Sequence, residues 1–238
     1  MLSIGGPGKR SSGWISLYQK NNIYLIFDWI RMGSPAGEEY SLSTPQQAFY
    51  IQSMLFNTNS ALQSCSQASR IIRGISDGAF GLQDKKDVLL DVLHNMINHC
   101  GAISRYFYPS IDGVKGKGEQ YKGIHKNRGA FLRDIFEIDE GSPLENRGLR
   151  NAIEHFDERL DIYLAGEIFG CIFPSLILGE PDDSGVSHHI FRAYYLKEGI
   201  FQILDERFHV QPIADELLRV HELLVHFDQD GGILRKRS

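Results

Sequence analysis

The sequence predicts a mainly α-helical protein, an antiparallel helical bundle with small accessory β-hairpins. Three observations carry this. Apolar residues recur at helical spacing through two long segments, Phe49 to Ile72 and Val88 to Cys100. A third amphipathic stretch runs from Leu149 to Leu164. Strand-like runs rich in aromatic and β-branched residues are confined to short segments near 14–32 and 190–208. At 238 residues the chain suits one domain with an extension. The expected division is an N-terminal extension at 1–40 and a helical domain at 41–238, with a β-hairpin insertion near 190–208.

The elements follow in order. In the extension, Trp14 to Met32 with the turn signal Asn21-Asn22 reads as a β-hairpin or, over Tyr24–Arg31, as a short helix; Gly33-Ser34-Pro35-Ala36-Gly37 then breaks the chain. Ser43 or Thr44 before Pro45 opens a long helix to about Arg73, closed by Gly74 and Gly78. Asp84 is the expected cap of a second helix, which Pro109 stops. A short connection between two long helices implies an antiparallel pair. Ser110 to Gly129, rich in Gly and Lys, is expected as a loop, with a short helix near Ala130–Ile138. Ser142-Pro143-Leu144-Glu145 fits a capping box for the third amphipathic helix, with Asn146 a rival cap; that helix is expected to reach about Ala165. The apolar run Ile168–Leu178 fits either helix or strand. Residues 190–208 read as two strands joined at Lys197-Glu198-Gly199, and a last helix runs from Pro212 to about Phe227.

Composition excludes several classes. With 42% hydrophobic and 23% charged residues the chain is an ordinary globular one, and a net charge of −5 argues against a broad nucleic-acid footprint. Cys65, Cys100 and Cys171 are odd in number and form no C-x-x-C pair, which suits a reducing compartment rather than disulfides or zinc. The start has no apolar leader core, and no uncharged apolar run approaches the roughly 20 residues that span a bilayer. A cytoplasmic protein without membrane contact is expected.

The stretch richest in chemistry is Leu149 to Leu160. Leu149, Ile153, Phe156, Leu160 and Leu164 share one helix face, and Asn151 and His155 lie four apart beside it. Arg150 is about 140° round a straight helix from His155, so the two converge only at an irregular start or across two copies of the helix. This R-N-x-x-x-H hexapeptide resembles the core motif of the HEPN domains, small helical bundles that place an arginine and a histidine a few residues apart on one helix. The resemblance covers the motif and, more loosely, the helices from 45 to 165. It implies a homodimer and, in many members, metal-independent cleavage of RNA. By that resemblance Arg150, Asn151 and His155 form the catalytic set: His155 exchanges a proton with the ribose 2′-OH, Arg150 meets the phosphate, and Asn151 orients His155 or bonds the phosphate. The function so implied is an endoribonuclease of toxin or phage-defence type, needing no cofactor and no metal. A protein antitoxin is among the implied partners. Members silenced by a nucleotidyltransferase carry a tyrosine two residues after the histidine, where this chain has Asp157. The alternative is a non-catalytic dimeric module of the same fold that binds nucleotide or a protein partner. The acidic residues Glu154, Asp157, Glu158 and Asp161 on the motif helix favour it.

Lys115, Lys117, Lys122, Lys126 and Arg128 form the best basic segment for tracking RNA phosphates; Tyr106, Phe107 and Tyr108 just before it read first as core packing, with stacking on bases the alternative. A second Arg–His match, Arg219 with His226, lacks the polar residue after the arginine. The pairs His94/His99 and His221/His226 are each five apart, the wrong spacing for two metal ligands on one helix face, and His188-His189 lacks acidic or thiol neighbours in sequence.

Overall fold

A computed structural model describes residues 40–109, 118–146, 148, 151, 154–180 and 188–236, with backbone alone for 118–122. The chain divides into two units, Met1–Glu39 and Tyr40–Ser238. The first unit, with the hairpin expected in it, lies outside the described residues. All the described elements belong to the second.

Helix α1 (Thr44–Ser76) begins where Pro45 fits the first turn, and the Ser43 N–H donates to Gln46 Oε1 at 2.9 Å. It outruns Gly74 and ends at Asp77, followed by Gly78 at φ +74°. The Phe80 ring then folds back over Gly74, where a Cβ would stand 2.4 Å from Phe80. Helix α2 (Lys86–Phe107) takes Lys85 as its cap; Asp84 instead accepts the Gly81 N–H at 2.8 Å and closes the preceding turn. Ser53 meets Tyr106 at 2.5 Å and Asn57 meets His99 at 3.1 Å, so α1 and α2 run antiparallel, as expected.

The expected Gly/Lys loop is corrected from residue 118 onward: α3 (Gly118–Ile135) is one helix carrying Gly123 and Gly129. Gly129 is there for contact. A Cβ on it would stand 2.8 Å from the Phe107 carbonyl oxygen and 2.7 Å from Pro109 Cδ, so glycine lets α3 seat against the end of α2. Ser142–Glu145 forms a turn rather than the first turn of the motif helix, with Glu145 N–H on Ser142 C=O at 2.8 Å. Asn146 Oδ1 accepts the Gly148 N–H at 2.8 Å, the bond of the rival cap. The motif helix is interrupted at His155 (φ −115°, ψ 36°), and α4 (Phe156–Leu164) starts after it.

The apolar run after α4 resolves as strand β1 (Cys171–Leu178). It pairs in parallel with β2 (His188–Tyr195), register Cys171↔His188 to Leu178↔Tyr195, at the edge of a four-stranded sheet ordered β1-β2-β3-β4. An edge is where Pro174 is tolerated within a strand. Residues 190–208 hold two hairpins rather than one: β3 (Ile200–Ile203) pairs antiparallel with β2 and with β4 (Glu206–His209), and the second turn is Leu204-Asp205. Helix α5 (Gln211–Gln229), with Pro212 in its first turn, packs on α1 through Gln52–Asp228 and Thr58–His221.

The core lies where α1, α2, α3, α5 and one face of the sheet meet. Phe107, Phe136 and Phe227 form a chain of edge-to-face contacts, each step 5.4 Å between centroids. Tyr194, Phe201, Ile203 and Phe208 join this core from the strands, while Ile190, Ala193 and Tyr195 form a separate apolar cluster. Beside that cluster a buried Gln202 accepts from Tyr195 and Arg207 and donates to the Leu204 carbonyl. The described part is thus mainly helical with a small sheet.

Candidate functional site

Among the described residues of the motif segment, Glu154, His155, Asp157 and Glu158 are exposed and Arg159 is half-buried. His155 N–H donates to the Asn151 carbonyl at 3.0 Å, and its own carbonyl accepts Arg159 N–H at 3.1 Å, so hydrogen bonding continues through the break. The His155 imidazole is 54% exposed, with Nδ1 3.5 Å from Glu158 Oε2. Asn151 is half-buried in a helical turn just before it. Arg150, the other member of the expected pair, lies outside the described residues. Neighbouring charges are tied to other elements: Glu154 pairs with Arg105 on α2, and Arg159 pairs with Glu206 on β4. Asp157 and Glu158 stand exposed in the first turn of α4, where the helix dipole favours them.

The basic segment is divided by the helix it turns out to occupy. Lys115 and Lys117 lie outside the described residues. Lys122 and Lys126 are four apart on one face of α3, but Arg128 lies about 200° round the axis from Lys126, on the face toward α2. Lys126 and Arg128 therefore face different sides of α3.

What Arg128 reaches instead is a groove of about 410 Å³ between α1, α2 and α3, lined by Tyr50, Asn57, Ala102, Arg105, Tyr106 and Arg128. Its guanidinium carbon lies 5.9 Å from the Tyr50 ring centroid and 5.8 Å from that of Tyr106, and the two rings stand at 88°. One Nη donates to the Arg105 carbonyl at 2.9 Å, capping an orphan acceptor at the end of α2. The Nε–H is buried without an acceptor among the described residues. Asn57 bonds His99 Nδ1 and donates to the Ser53 carbonyl at 2.9 Å, which fixes its amide at the groove wall. Of this set the sequence points to Arg128 within the basic segment, and to Tyr106 only as one of three aromatics read first as core. Tyr50, Asn57 and Arg105 were missed, because no spacing in the chain links residues drawn from three helices.

A second polar cleft, of about 330 Å³, lies between α2 and the sheet, lined by Asp87, Leu90, Asp91, His94, Ser175 and Arg192. Arg192 rests on the Phe156 ring, 4.7 Å from its centroid. Burial and the Arg192 charge lower the His94 pKa, against a smaller opposing pull from Asp91.

The remaining candidates resolve as ties that hold the fold. Arg219 donates to Glu216 through Nε and Nη2 and to the Phe136 carbonyl through Nη1, each at 2.8 Å, joining α5 to the end of α3. His189 Nε2 lies 3.0 Å from the Phe169 carbonyl, which can only accept; that leaves Nδ1 to take the Tyr163 hydroxyl at 2.6 Å. Among the described residues no group of three or more His, Cys, Asp or Glu could hold a metal ion, and no helix is long and apolar enough to cross a membrane. Cys65, Cys100 and Cys171 are free thiols, and burial pushes Cys65 up to about 11 and Cys100 up to about 12. Comparison with known protein families, curated proteins and solved structures finds no match.

Proposed function

We propose that this chain is a metal-independent endoribonuclease of toxin or phage-defence type, acting as a cytoplasmic homodimer, with His155 as the proton-transfer group. The observation that carries the reading is the state of His155. It interrupts the motif helix and keeps an imidazole open to solvent inside an R-N-x-x-x-H sequence. A histidine so placed is available to a substrate. In this reading His155 takes the proton of a ribose 2′-OH and the 2′-oxygen attacks the adjacent phosphorus. The 5′-oxygen leaves and takes up a proton from water, so the products carry 2′,3′-cyclic phosphate and 5′-hydroxyl ends. Arg150 meets the charge that develops on the phosphate, and Asn151 holds the backbone of His155 through its carbonyl.

The test is cleavage of total RNA in EDTA by wild-type protein, His155→Ala and Arg150→Ala. The expected result is cleavage by the wild type and a loss of about 100-fold or more in each variant, the scale of one general acid–base group. Cyclic-phosphate ends on the products would identify the chemistry. No cleavage by any of the three sinks the reading.

One observation favours a second reading, a non-catalytic dimeric module that binds nucleotide or a protein partner. Asp157 and Glu158 are exposed beside His155 and would repel an approaching phosphate. Such a module would be harmless on overexpression, whereas a ribonuclease would arrest growth.

A further inference from the structure

We infer that the groove between α1, α2 and α3 binds a nucleotide unit of single-stranded RNA, with Tyr50 and Tyr106 against the base and Arg128 and Arg105 toward the phosphate. The inference rests on the ribonuclease reading for the identity of the polymer, and on the groove itself for the chemistry. Its volume of about 410 Å³ falls within the span of about 300–1,000 Å³ usual for small-ligand sites.

The lining suits that unit. Single-stranded RNA is recognised by stacking its bases on aromatic rings and guanidinium planes and by pairing cations with its backbone. Tyr50 and Tyr106 are half-buried, so they are fixed yet partly open, and their perpendicular rings hold the Arg128 guanidinium in the corner between them. The Arg128 guanidinium, seated by both rings at the groove wall, is a fixed positive charge there, and a phosphate is the anionic acceptor that a nucleotide offers it. Asn57 keeps one amide hydrogen and one lone pair after its bonds to Ser53 and His99, enough to meet a base edge. Arg105 extends the groove toward the motif, because the same guanidinium grips Glu154, the residue before His155. A strand held here would pass beside the imidazole.

Free nucleotides share this chemistry, so the test separates the sources. A fluorescent single-stranded RNA 12-mer is titrated with His155→Ala protein, which leaves the RNA uncut, and with Arg128→Gln and Tyr106→Ala in that background, against duplex RNA and AMP as competitors. Arg128→Gln should bind at least about tenfold more weakly and flatten the slope of log affinity against log salt by about 0.7, the value of one lost phosphate contact on a single strand. Tyr106→Ala removes the stacking ring and should weaken binding by about fivefold or more, while unlabelled single-stranded RNA should compete far better than duplex or AMP. Competition by AMP at the same site concentration as RNA would overturn the polymer assignment in favour of a mononucleotide pocket. If Arg128→Gln fails to fold, photocross-linking of 4-thiouridine RNA to the wild type decides the matter: adducts on Tyr50 or Tyr106 are expected, and adducts confined elsewhere overturn the groove. The two readings fail separately. Cleavage with unchanged KM in Arg128→Gln removes the groove and leaves the ribonuclease, whereas tight groove-dependent binding without cleavage does the reverse.

Discussion

At the scale of single residues, the polar side chains of this protein are explained by what each can still donate or accept. His221 Nδ1 lies 3.0 Å from the Thr58 hydroxyl, whose proton is already given to the Leu55 carbonyl, so the imidazole must donate. Arg219 looked like a second motif arginine, and its guanidinium is fully engaged in joining two helices. His94 lines the polar cleft between α2 and the sheet. Burial and Arg192 both disfavour its charged form, so its folded pKa lies below 6.5. The sign follows from linkage: the unfolded chain binds the proton more readily, so His94's contribution to stability is full above pH 6.5 and is lost as pH falls through the lowered folded value. Replacing Arg192 with Gln should raise the His94 pKa toward its ordinary value. Histidine titration by NMR would show it, and an unchanged midpoint would mean that burial alone sets the shift.

At the scale of elements, the departures from sequence expectation share a cause. Helix α3 contains Gly123 and Gly129, each costing about 1 kcal/mol relative to alanine in a helix interior, and it forms because Gly129 allows close contact with the end of α2. The second hairpin turns on Leu204 at φ +52°, a conformation for which the sequence offers no Gly or Asn signal. Leu204 is 5% exposed, so two effects oppose each other. Glycine there would relieve roughly 1 kcal/mol of backbone strain but forfeit roughly 1.5–3 kcal/mol of burial. Burial wins: Leu204→Gly should lower stability by about 1 kcal/mol in a urea melt, and a stabilised variant would show that the strain term is the larger. The break at His155 belongs to this scale too. A straight helix separates Arg150 and His155 by about 140°, and the irregularity falls on the histidine itself.

At the scale of the whole molecule, one core joins helices and sheet, and Phe136 stands at its centre. It is fully buried and touches Phe107 on α2 and Phe227 on α5. Truncating a buried phenylalanine costs about 3–5 kcal/mol, against a total stability of about 5–15 kcal/mol for a domain. Phe136→Ala should therefore lower Tm by about 10 °C or more, whereas Phe49→Ala, at a side chain 77% exposed, should leave it nearly unchanged. Thermal denaturation of the two variants checks this, and equal losses would contradict the placement of the core. The groove and α4 border that core through Tyr50, Tyr106, Phe156 and Leu160, and Arg105 pairs with Glu154 just before α4.

The sequence by itself determined the helices α1, α2 and α5, the start of α1 at Ser43 and Pro45, and the strand character of 190–208. Periodicity and caps are local, so a short window of residues suffices to specify them. It also marked His155, Asn151 and Arg128 by residue type. Only the tertiary structure decided the parallel pairing of β1 with β2, the helix through 118–129, the turn at Leu204 and the groove. Each depends on groups far apart in the chain, as Tyr50, Tyr106 and Arg128 are, and their meeting is set by how whole helices pack rather than by any spacing along the sequence.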